Sequence, residues 1–283
     1  MYLIAESGST KTQWCLISKN SIENLINTPG INPLSLSPTE IESIISPLSV
    51  RFEKKKISAV YFFGAGCSTD ANIKKVGNAL LKVFNCRNIF IDTDLKAACL
   101  ALAGNSTGLV ALLGTGSNSC VWNGKEITQS IPSLGYILGD EGGGVSIGKQ
   151  LVTDYLKKYM PPEIRKSFAE QHNITREYVL ERVYQSPMPN RFLAGFAPFA
   201  EKYIEHEYCY SLVENQFQQF IEKNILLYPD YSTHEISFCG SIAHSHQDII
   251  NKLCDKYNLK VKNIVKEPIK LLAEYLKAIV FPE

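Results

Sequence analysis

The sequence has no excess charge of either sign, since 29 Lys and Arg residues stand against 28 Asp and Glu residues among 283. Without a net positive field, neither nucleic acid nor an acidic membrane surface is indicated as a partner. No apolar run approaches the roughly 20 residues that a membrane-spanning helix requires. We therefore expect no nucleic acid and no membrane among the partners, and an acidic small molecule would have to be held by local groups.

The eight cysteines lack the Cys-x-x-Cys spacing of zinc ribbons and thioredoxin-type sites, because each stands alone in the chain. Cys15 and Cys239 lie inside apolar runs, where buried free thiols are common. The chain also opens on strand-like residues, without the basic and long apolar stretches of a secretory leader. These absences predict a reduced, cytoplasmic protein.

What is present is the composition of an ordinary globular protein, with 45% hydrophobic and 20% charged residues. The length exceeds that of a typical single domain, so two domains are expected. A strand, a turn of small residues and a second strand occur twice. The first copy has strands at 2–5 and 13–18, and the second has strands at 108–113 and 119–122. This recurrence, about one domain apart, supports the two-domain expectation.

The rest of the chain has the spacing of both helices and strands, which places the protein in the α/β class. Asn123-Gly124 is compatible with a type I′ hairpin turn. Further strands are predicted at 58–63, 89–91 and 235–239, and helices at 41–48, 72–84, 93–103, 150–159, 176–183, 192–223 and 268–279. A helix is also expected to begin near Val145, and another to follow the turn Gly240-Ser241.

The turn of the first copy, Glu6–Thr12, places a carboxylate, a glycine, several hydroxyls and Lys11 directly after a strand. Polyphosphate binding uses inward-pointing backbone N–H groups, hydroxyl donors and a nearby cation, and glycine lets the backbone approach closely. An ordinary polar hairpin turn explains this segment equally well, because its spacing is not that of a Walker A loop.

The turn of the second copy, Leu113–Asn118, repeats this chemistry with Gly114 and Gly116. A β-turn readily explains one such loop, but two matched loops favour phosphate binding from two domains. Between them, Asp92 and Asp94 follow an apolar strand. Either carboxylate could cap the next helix, or act as the general base for a sugar hydroxyl that attacks a γ-phosphate.

Two further groups of residues carry acidic or metal-binding side chains. Gly139–Gly144 combines Asp140 and Glu141 with four glycines. A helix N-terminus favours such acids, but four glycines exceed what capping requires and favour the close approach of a ligand. His244 and His246 have no carboxylate or cysteine neighbours at ligand spacing, so we interpret them as surface or capping residues rather than as a metal pair.

Together these residues resemble the BadF/BadG/BcrA/BcrD-type ATPase family of the actin/hexokinase/Hsp70-like superfamily, and specifically its N-acetylglucosamine kinase-like branch. The resemblance covers essentially the whole chain, although Lys270-Leu271-Leu272 stands where the family prefers a Gly-Ala pair. It rests on seven motifs in the family's order: ESGSTKT at 6–12, GIN at 30–32, FFGAG at 62–66, IDTD at 91–94, LLGTGSN at 112–118, GYILGDEGGG at 135–144 and FCGSIA at 238–243.

The resemblance implies an α/β fold of two ribonuclease H-like (actin-like ATPase) domains with a nucleotide cleft between them. Residues 1–107 plus 268–283 would form the N-terminal domain, and residues 108–267 the C-terminal domain. It further implies an ATP-dependent kinase with ATP and Mg²⁺ as cofactors and an amino sugar, N-acetylglucosamine or glucosamine, as substrate. A homodimer is compatible with it.

The resemblance also gives roles to individual residues. Asp94 matches the catalytic base, and Glu6 matches the metal ligand, although the family usually has Asp there. Asn32, Ser117 and Asp140 match the ligands of the sugar. The nucleotide contacts would come from Ser9, Thr10 and Lys11 in the first loop, from Gly114, Thr115 and Gly116 in the second, and from Gly240 and Ser241 on the adenosine side.

Two other functions stay open. In another branch of the family, activator ATPases carry an iron–sulfur cluster on cysteines beside glycines and pass an electron to a dehydratase or reductase. Cys67 follows Gly64-Ala65-Gly66, but no second cysteine stands at a matching position, and a cluster needs several thiolates. A nucleotide-dependent regulatory protein would keep the phosphate loops and lose the base, whereas Asp94 and Asn32 are both present.

Overall fold

The structure is a computed structural model that describes residues 1–52 and 56–282. The chain separates into two compact units. Unit 1 comprises Met1–Val110, Trp122–Ile127 and Glu267–Glu283, and unit 2 comprises Ala111–Val121 and Thr128–Lys266. The expected two-domain α/β class is confirmed. The functional domain boundaries proposed at 107/108 and 267/268 stay a prediction.

Five strands form a sheet in unit 1: β1 (Tyr2–Ser7), β2 (Lys11–Ile17), β3 (Ile22–Pro29), β4 (Ala59–Gly64) and β5 (Ile89–Asp92). Their order is β3-β2-β1-β4-β5. Strands β1, β2 and β3 pair antiparallel, whereas β1, β4 and β5 pair parallel. In this register Glu6 is aligned with Phe63, and Phe63 with Asp92. Because parallel strands end at one edge of a sheet, the carboxylates of Glu6 and Asp92 belong to the same edge.

A second sheet contains β6 (Thr107–Leu113), β7 (Ser117–Asn123), β8 (Ile127–Ser130), β9 (Glu235–Cys239) and β10 (Lys260–Val265). Its order is β10-β9-β6-β7-β8, and β9 and β10 pair parallel. Leu109–Ala111 and Ile236–Cys239 are buried, as expected for central strands with both faces covered.

The helices are α1 (Pro38–Arg51), α2 (Asp70–Phe84), α3 (Asp94–Leu102), α4 (Gly135–Leu138), α5 (Gly144–Lys157), α6 (Pro162–His172), α7 (Arg176–Tyr184), α8 (Pro189–Ala194), α9 (Ala197–Lys202), α10 (Glu207–Lys223), α11 (Ser241–Ser245), α12 (Gln247–Lys256) and α13 (Ile269–Val280). Within residues 1–52 and 56–282, none of them has the length and hydrophobicity that crossing a bilayer demands.

The core of unit 1 joins the sheet to α3 and α13. Ile4 and Phe63 from the strands pack with Ala97 of α3 and with Leu272 and Leu276 of α13. Leu272, in the segment that departs from the family's Gly-Ala pair, is completely buried. The Leu272 side chain, which is larger than Gly or Ala, therefore fills space in this core, and α13 packs on the sheet that carries the first loop.

Several predicted elements differ from the structure. The predicted helix at 192–223 is wrong, because α8, α9 and α10 occupy that region as separate helices. Gly195 follows the first of them, and the His206 side chain caps the third by accepting from Tyr208 N–H at 3.1 Å. Strands β3, β8 and β10 and helices α4 and α6 were not predicted. β8 and β10 bury few side chains, so they carry no apolar alternation.

The turn after β7 also differs from the prediction. The Asn123 N–H donates to the Glu126 carbonyl at 3.2 Å. Gly124 has a φ of 90°, whereas neither Asn123 nor Lys125 has a positive φ. A type I′ turn needs positive φ at both central residues, so the type I′ prediction is wrong.

Candidate active site

The first loop lies in the turn between β1 and β2. The Gly8 N–H donates to the Lys11 carbonyl at 3.0 Å and closes the turn. A Cβ at Gly8 would meet only the Lys11 carbonyl, at 3.9 Å, and the backbone there has no positive φ. The fold itself therefore does not require glycine at this position. A side chain would instead obstruct whatever approaches the loop from outside, as expected of a phosphate-binding turn.

The segment 30–32 is fastened against this turn. The Gly30 N–H donates to the Thr10 carbonyl at 3.0 Å, and a Cβ at Gly30 would lie 2.4 Å from the Gly8 carbonyl oxygen. The Asn32 side chain, a predicted sugar ligand, then lies within 3.5 Å of the Ser9 hydroxyl. The structure thus brings the GIN motif to the first loop, as a common site requires.

Glu6 and Asp94 form a pair of carboxyl groups in poorly solvated positions of unit 1. Burial, and then the negative charge of Asp94, raises the pKa of Glu6 to about 8, against the opposing effect of Lys11. Burial likewise raises the pKa of Asp94 to about 6, although its Oδ1 accepts a hydrogen bond from Leu95 N–H at 2.9 Å. Two titratable groups with perturbed pKa values beside a glycine loop are typical of a functional site.

Neither Asp92 nor Asp94 is the N-cap of α3, as one interpretation of the sequence expected. Thr93 is the N-cap of α3, and its hydroxyl accepts from Lys96 N–H at 3.2 Å. Asp92 is exposed and accepts from Thr93 N–H at 2.7 Å. Asp94 is the first helical residue, where a carboxylate is electrostatically favoured. Asp94 is therefore not needed as the cap of α3.

Glu267 is a residue of this site that the sequence did not indicate. Its carboxylate forms a salt bridge with Lys11 and accepts from the Gln13 amide at 3.0 Å. It lies 256 positions from Lys11 in the chain, and no motif marks it. Only the return of the chain to unit 1 brings it to the loop.

The second loop, in unit 2, is held by its backbone against the start of α5. The Gly144 and Val145 N–H groups donate to the carbonyls of Gly114 and Thr115 at 2.8 and 2.9 Å. A Cβ at Gly114 would meet nothing within 4 Å, and the φ there is not positive. As at Gly8, the fold itself does not require glycine at this position.

Asp140 and Ser117 are brought together beside this loop. The Ser117 N–H donates to Asp140 Oδ1 at 3.1 Å, and a Cβ at Gly116 would lie 2.6 Å from the same carboxylate. Burial raises the pKa of Asp140, and the hydrogen bond from Ser117 opposes that shift. Two of the three residues that the resemblance assigned to the sugar, Ser117 and Asp140, thus lie in direct contact.

The glycines around Asp140 have a different explanation from the predicted one. A Cβ at Gly143 would lie 2.7 Å from the backbone of Gly116, and one at Gly142 would lie 2.9 Å from Phe220. These two glycines make room for the protein's own packing, so the expectation that they admit a ligand is wrong. What they achieve is the close seating of α5 on the second loop.

Gly240 and Ser241 lie at the end of β9, against the same loop. Gly240 has a φ of 121°, and a Cβ there would lie 2.3 Å from the Leu113 carbonyl oxygen. Its N–H donates to the Val265 carbonyl at 2.9 Å. Glycine is therefore required here by backbone geometry, and Ser241 begins α11 as an exposed residue next to the loop.

The histidines and cysteines occupy structural positions. His246 is 4% exposed and packs on Phe217, so it is not a surface residue, but it stands at the N-cap of α12, in agreement with the capping interpretation. His244 is exposed, as the surface interpretation expects. The described cysteines are buried free thiols. Cys67 is among them, and burial together with the charges of Asp94 and Asp92 raises its pKa to about 12. Such a thiol is poorly suited to binding a cluster as a thiolate.

Comparison with known proteins finds solved structures that are similar to this chain. No family model and no curated relative matches the chain. Among solved structures, a candidate N-acetylglucosamine kinase from Porphyromonas gingivalis is 36% identical over 98% of this chain and 99% of that one, with a TM-score of 0.91. A candidate N-acetylglucosamine kinase from Chromobacterium violaceum is 14% identical over 97% of this chain and 98% of that one, with a TM-score of 0.75.

A third structure extends the likeness at the level of the fold. It is a ROK family glucokinase from Streptomyces griseus in complex with glucose and AMPPNP, 13% identical over 96% of this chain and 97% of that one, with a TM-score of 0.54. The two sheets, each with its own glycine-containing loop, therefore define an α/β protein of the actin/hexokinase-type fold. With 36% identity over nearly the full length of both chains, the protein belongs to the N-acetylglucosamine kinase-like family.

Proposed function

We propose that this protein is an ATP-dependent kinase that phosphorylates a hydroxyl group of an amino sugar, N-acetylglucosamine in particular. The observation that carries the proposal is the 36% identity to the candidate N-acetylglucosamine kinase of P. gingivalis over 98% of the chain. We further place the protein in the wider BadF/BadG/BcrA/BcrD-type ATPase family, on the seven motifs in the sequence.

In unit 1, Asp94 is the proposed general base, which accepts the proton of the attacking sugar hydroxyl. A pKa raised by burial to about 6 supports this role, because such a carboxylate is ionised at neutral pH and still basic enough to take up a proton. Asn32 is a proposed ligand of the sugar. Ser9, Thr10 and Lys11 are proposed to contact the phosphates.

In unit 2, the loop Gly114–Gly116 is proposed to bind phosphate oxygens with its backbone, since Gly114 leaves space that the protein does not fill. Ser117 and Asp140 are proposed ligands of sugar hydroxyls. Gly240 and Ser241 are proposed to contact the nucleotide on its adenosine side.

The residues of unit 1 also fit a Mg²⁺ ion that accompanies the nucleotide. Across residues 1–52 and 56–282, no three His, Cys, Asp or Glu side chains are grouped so as to hold a metal ion by themselves. Mg²⁺ bound to nucleotide phosphates keeps several waters and needs only one or two carboxylates. Glu6, whose pKa is raised to about 8, would supply one at the end of β1 by releasing its proton as the ion binds. The ion would neutralise charge on the phosphates.

A coupled assay of ADP release over a panel of hexoses, hexosamines and N-acetylated amino sugars tests the proposal. We expect N-acetylglucosamine to give the highest kcat/KM, and we expect EDTA to abolish the activity. ATP hydrolysis that no sugar stimulates would contradict a sugar kinase and support the regulatory function. A coloured protein with bound iron would support the activator ATPase.

Several narrower expectations accompany this proposal. They are a cytoplasmic location, the absence of nucleic acid and membranes among the partners, and a homodimer as a compatible assembly. Size-exclusion chromatography with light scattering measures the last of these directly.

A further inference from the structure

We infer that Glu267 is a positioning residue for nucleotide binding, which holds the Lys11 ammonium group and the Gln13 amide of β2 in a fixed arrangement beside the first loop. The inference rests on the proposed function, because it takes Lys11 as a ligand of the ATP phosphates. It adds a residue that lies outside all seven motifs.

The Glu267 carboxylate makes two contacts at once. Its Oε1 forms the salt bridge with Lys11 Nζ, and its Oε2 accepts from Gln13 Nε2 at 3.0 Å. Lys11 and Gln13 are the first and third residues of β2, so their side chains share one face of the strand. A carboxylate that engages two donors is held in a better defined geometry than one in a single ion pair.

The contact with Gln13 also decides how that amide is oriented. Gln13 is 3% exposed, and its Oε1 has no hydrogen-bond partner among the described residues. An ionised carboxylate can only accept, so Glu267 requires the NH₂ group of Gln13 to face it. The amide carbonyl is consequently left buried on the strand pair where Glu6 lies directly opposite Gln13. Glu267 thus fixes the orientation of the Gln13 amide as well as the position of the Lys11 ammonium group.

The salt bridge matters for Lys11 because lysine is a flexible side chain. About half of the Lys11 side chain is exposed, and an unrestrained lysine would have to be ordered by the incoming phosphates. Glu267 restrains it beforehand, which lowers that ordering cost. The ammonium group has three N–H donors, so it can bind phosphate oxygens while it keeps its contact with Glu267, and an exposed ion pair contributes little by itself. The net effect on affinity is therefore favourable but modest.

The test compares Glu267→Gln, Glu267→Asp and Lys11→Met with the unaltered protein. We expect Glu267→Gln to raise the KM for ATP about five-fold, the upper range for an exposed ion pair, and to leave the KM for the sugar within about two-fold. Glu267→Asp should recover part of the loss. In a double-mutant cycle, Glu267→Gln should add little to Lys11→Met, because both changes remove the same contact.

Glu42→Gln is the matched control, since Glu42 forms an equally close salt bridge with Lys82 between α1 and α2, in neither candidate loop. Its KM for ATP should not change. An unchanged KM for ATP in Glu267→Gln, or additive effects of Glu267→Gln and Lys11→Met, would overturn the inference. A rise in KM that is accompanied by a lower melting temperature in Glu267→Gln, with neither value recovered in Glu267→Asp, would also overturn it.

Binding of the fluorescent N-methylanthraniloyl derivative of ATP separates this inference from the proposed function. Its Kd needs no sugar and no turnover. If no sugar is phosphorylated but Glu267→Gln still weakens binding of this probe and Glu42→Gln does not, the kinase proposal fails and the positioning role stands. If sugars are phosphorylated and the Kd is the same in Glu267→Gln, the positioning role fails alone.

Discussion

The Ser7 hydroxyl is hydrogen-bonded to both backbone groups of Ile31, accepting from its N–H at 2.9 Å and donating to its carbonyl at 3.1 Å. The same hydroxyl lies 2.6 Å from the Thr12 hydroxyl, and all these atoms are buried. Ser7 stands at the end of β1, and Ile31 precedes Asn32. One side chain therefore joins the first loop to the segment that carries a proposed ligand of the sugar.

We predict that Ser7→Ala lowers the free energy of unfolding by about 1–3 kcal/mol, because it leaves the buried Ile31 N–H without a partner. It should also raise the KM for the sugar more than the KM for ATP, since Asn32 loses its anchor. Urea unfolding and steady-state kinetics measure the two effects. Ser46→Ala is the control, as that hydroxyl is exposed on α1 and its loss should change neither quantity.

We predict that Asp94→Asn lowers kcat by about two orders of magnitude or more, the scale of general-base catalysis. Binding of the fluorescent ATP derivative should be retained. Asp92→Asn is the matched control, because Asp92 is an exposed carboxylate two residues away. If Asp92→Asn lost activity and Asp94→Asn kept it, the base would have to be reassigned to Asp92.

The raised pKa of Asp94, about 6 because of burial, predicts how the rate depends on pH. A general base must be ionised, so kcat should fall about tenfold per pH unit below that pKa and level off above it. A rate that stays constant from pH 7 down to pH 5 would argue against Asp94 as the base.

The same raised pKa predicts that ionisation of Asp94, which favours catalysis, lowers the stability of the folded protein. Because the folded pKa lies above the ordinary value of 3.8, ionisation of Asp94 destabilises the folded state, and this penalty is complete above about pH 6. It fades as the pH falls from about 6 towards 4. Asp94→Asn should therefore raise the melting temperature at pH 8 and raise it less at pH 5. Thermal unfolding at both pH values measures this, and an equal gain at both would contradict it.

Two glycine substitutions should separate folding from binding in unit 2. Gly240→Ala should lower the melting temperature, because its Cβ would lie 2.3 Å from the Leu113 carbonyl oxygen at a φ of 121°. Gly114→Ala should leave the melting temperature unchanged, since nothing lies within 4 Å of its Cβ, and yet raise the KM for ATP. A Gly114→Ala protein with unchanged KM would remove the second loop from the phosphate site.

Much of the candidate site follows from local sequence. The two strand–turn–strand copies, Asp94 after an apolar strand, and the glycines of both loops depend on residues that are close in the chain. Turn chemistry and burial pattern are expressed over a few residues, so the α/β class and the family branch were predictable. Local patterns did not predict strands β8 and β10, because these strands bury few side chains. They also did not predict the breaks between α8, α9 and α10, because the helical spacing of apolar residues continues across those breaks.

Other features were decided only by tertiary structure, because they depend on contacts between distant parts of the chain. Glu267 meets Lys11 across 256 positions, and no spacing rule predicts such a pairing. Gly142 and Gly143 proved to accommodate Phe220 and the backbone of Gly116, a role that is indistinguishable in sequence from a ligand loop. The sequence by itself determined which chemical groups are available; the packing of remote segments determined which of them touch, since side-chain geometry is set by neighbours that the chain order does not reveal.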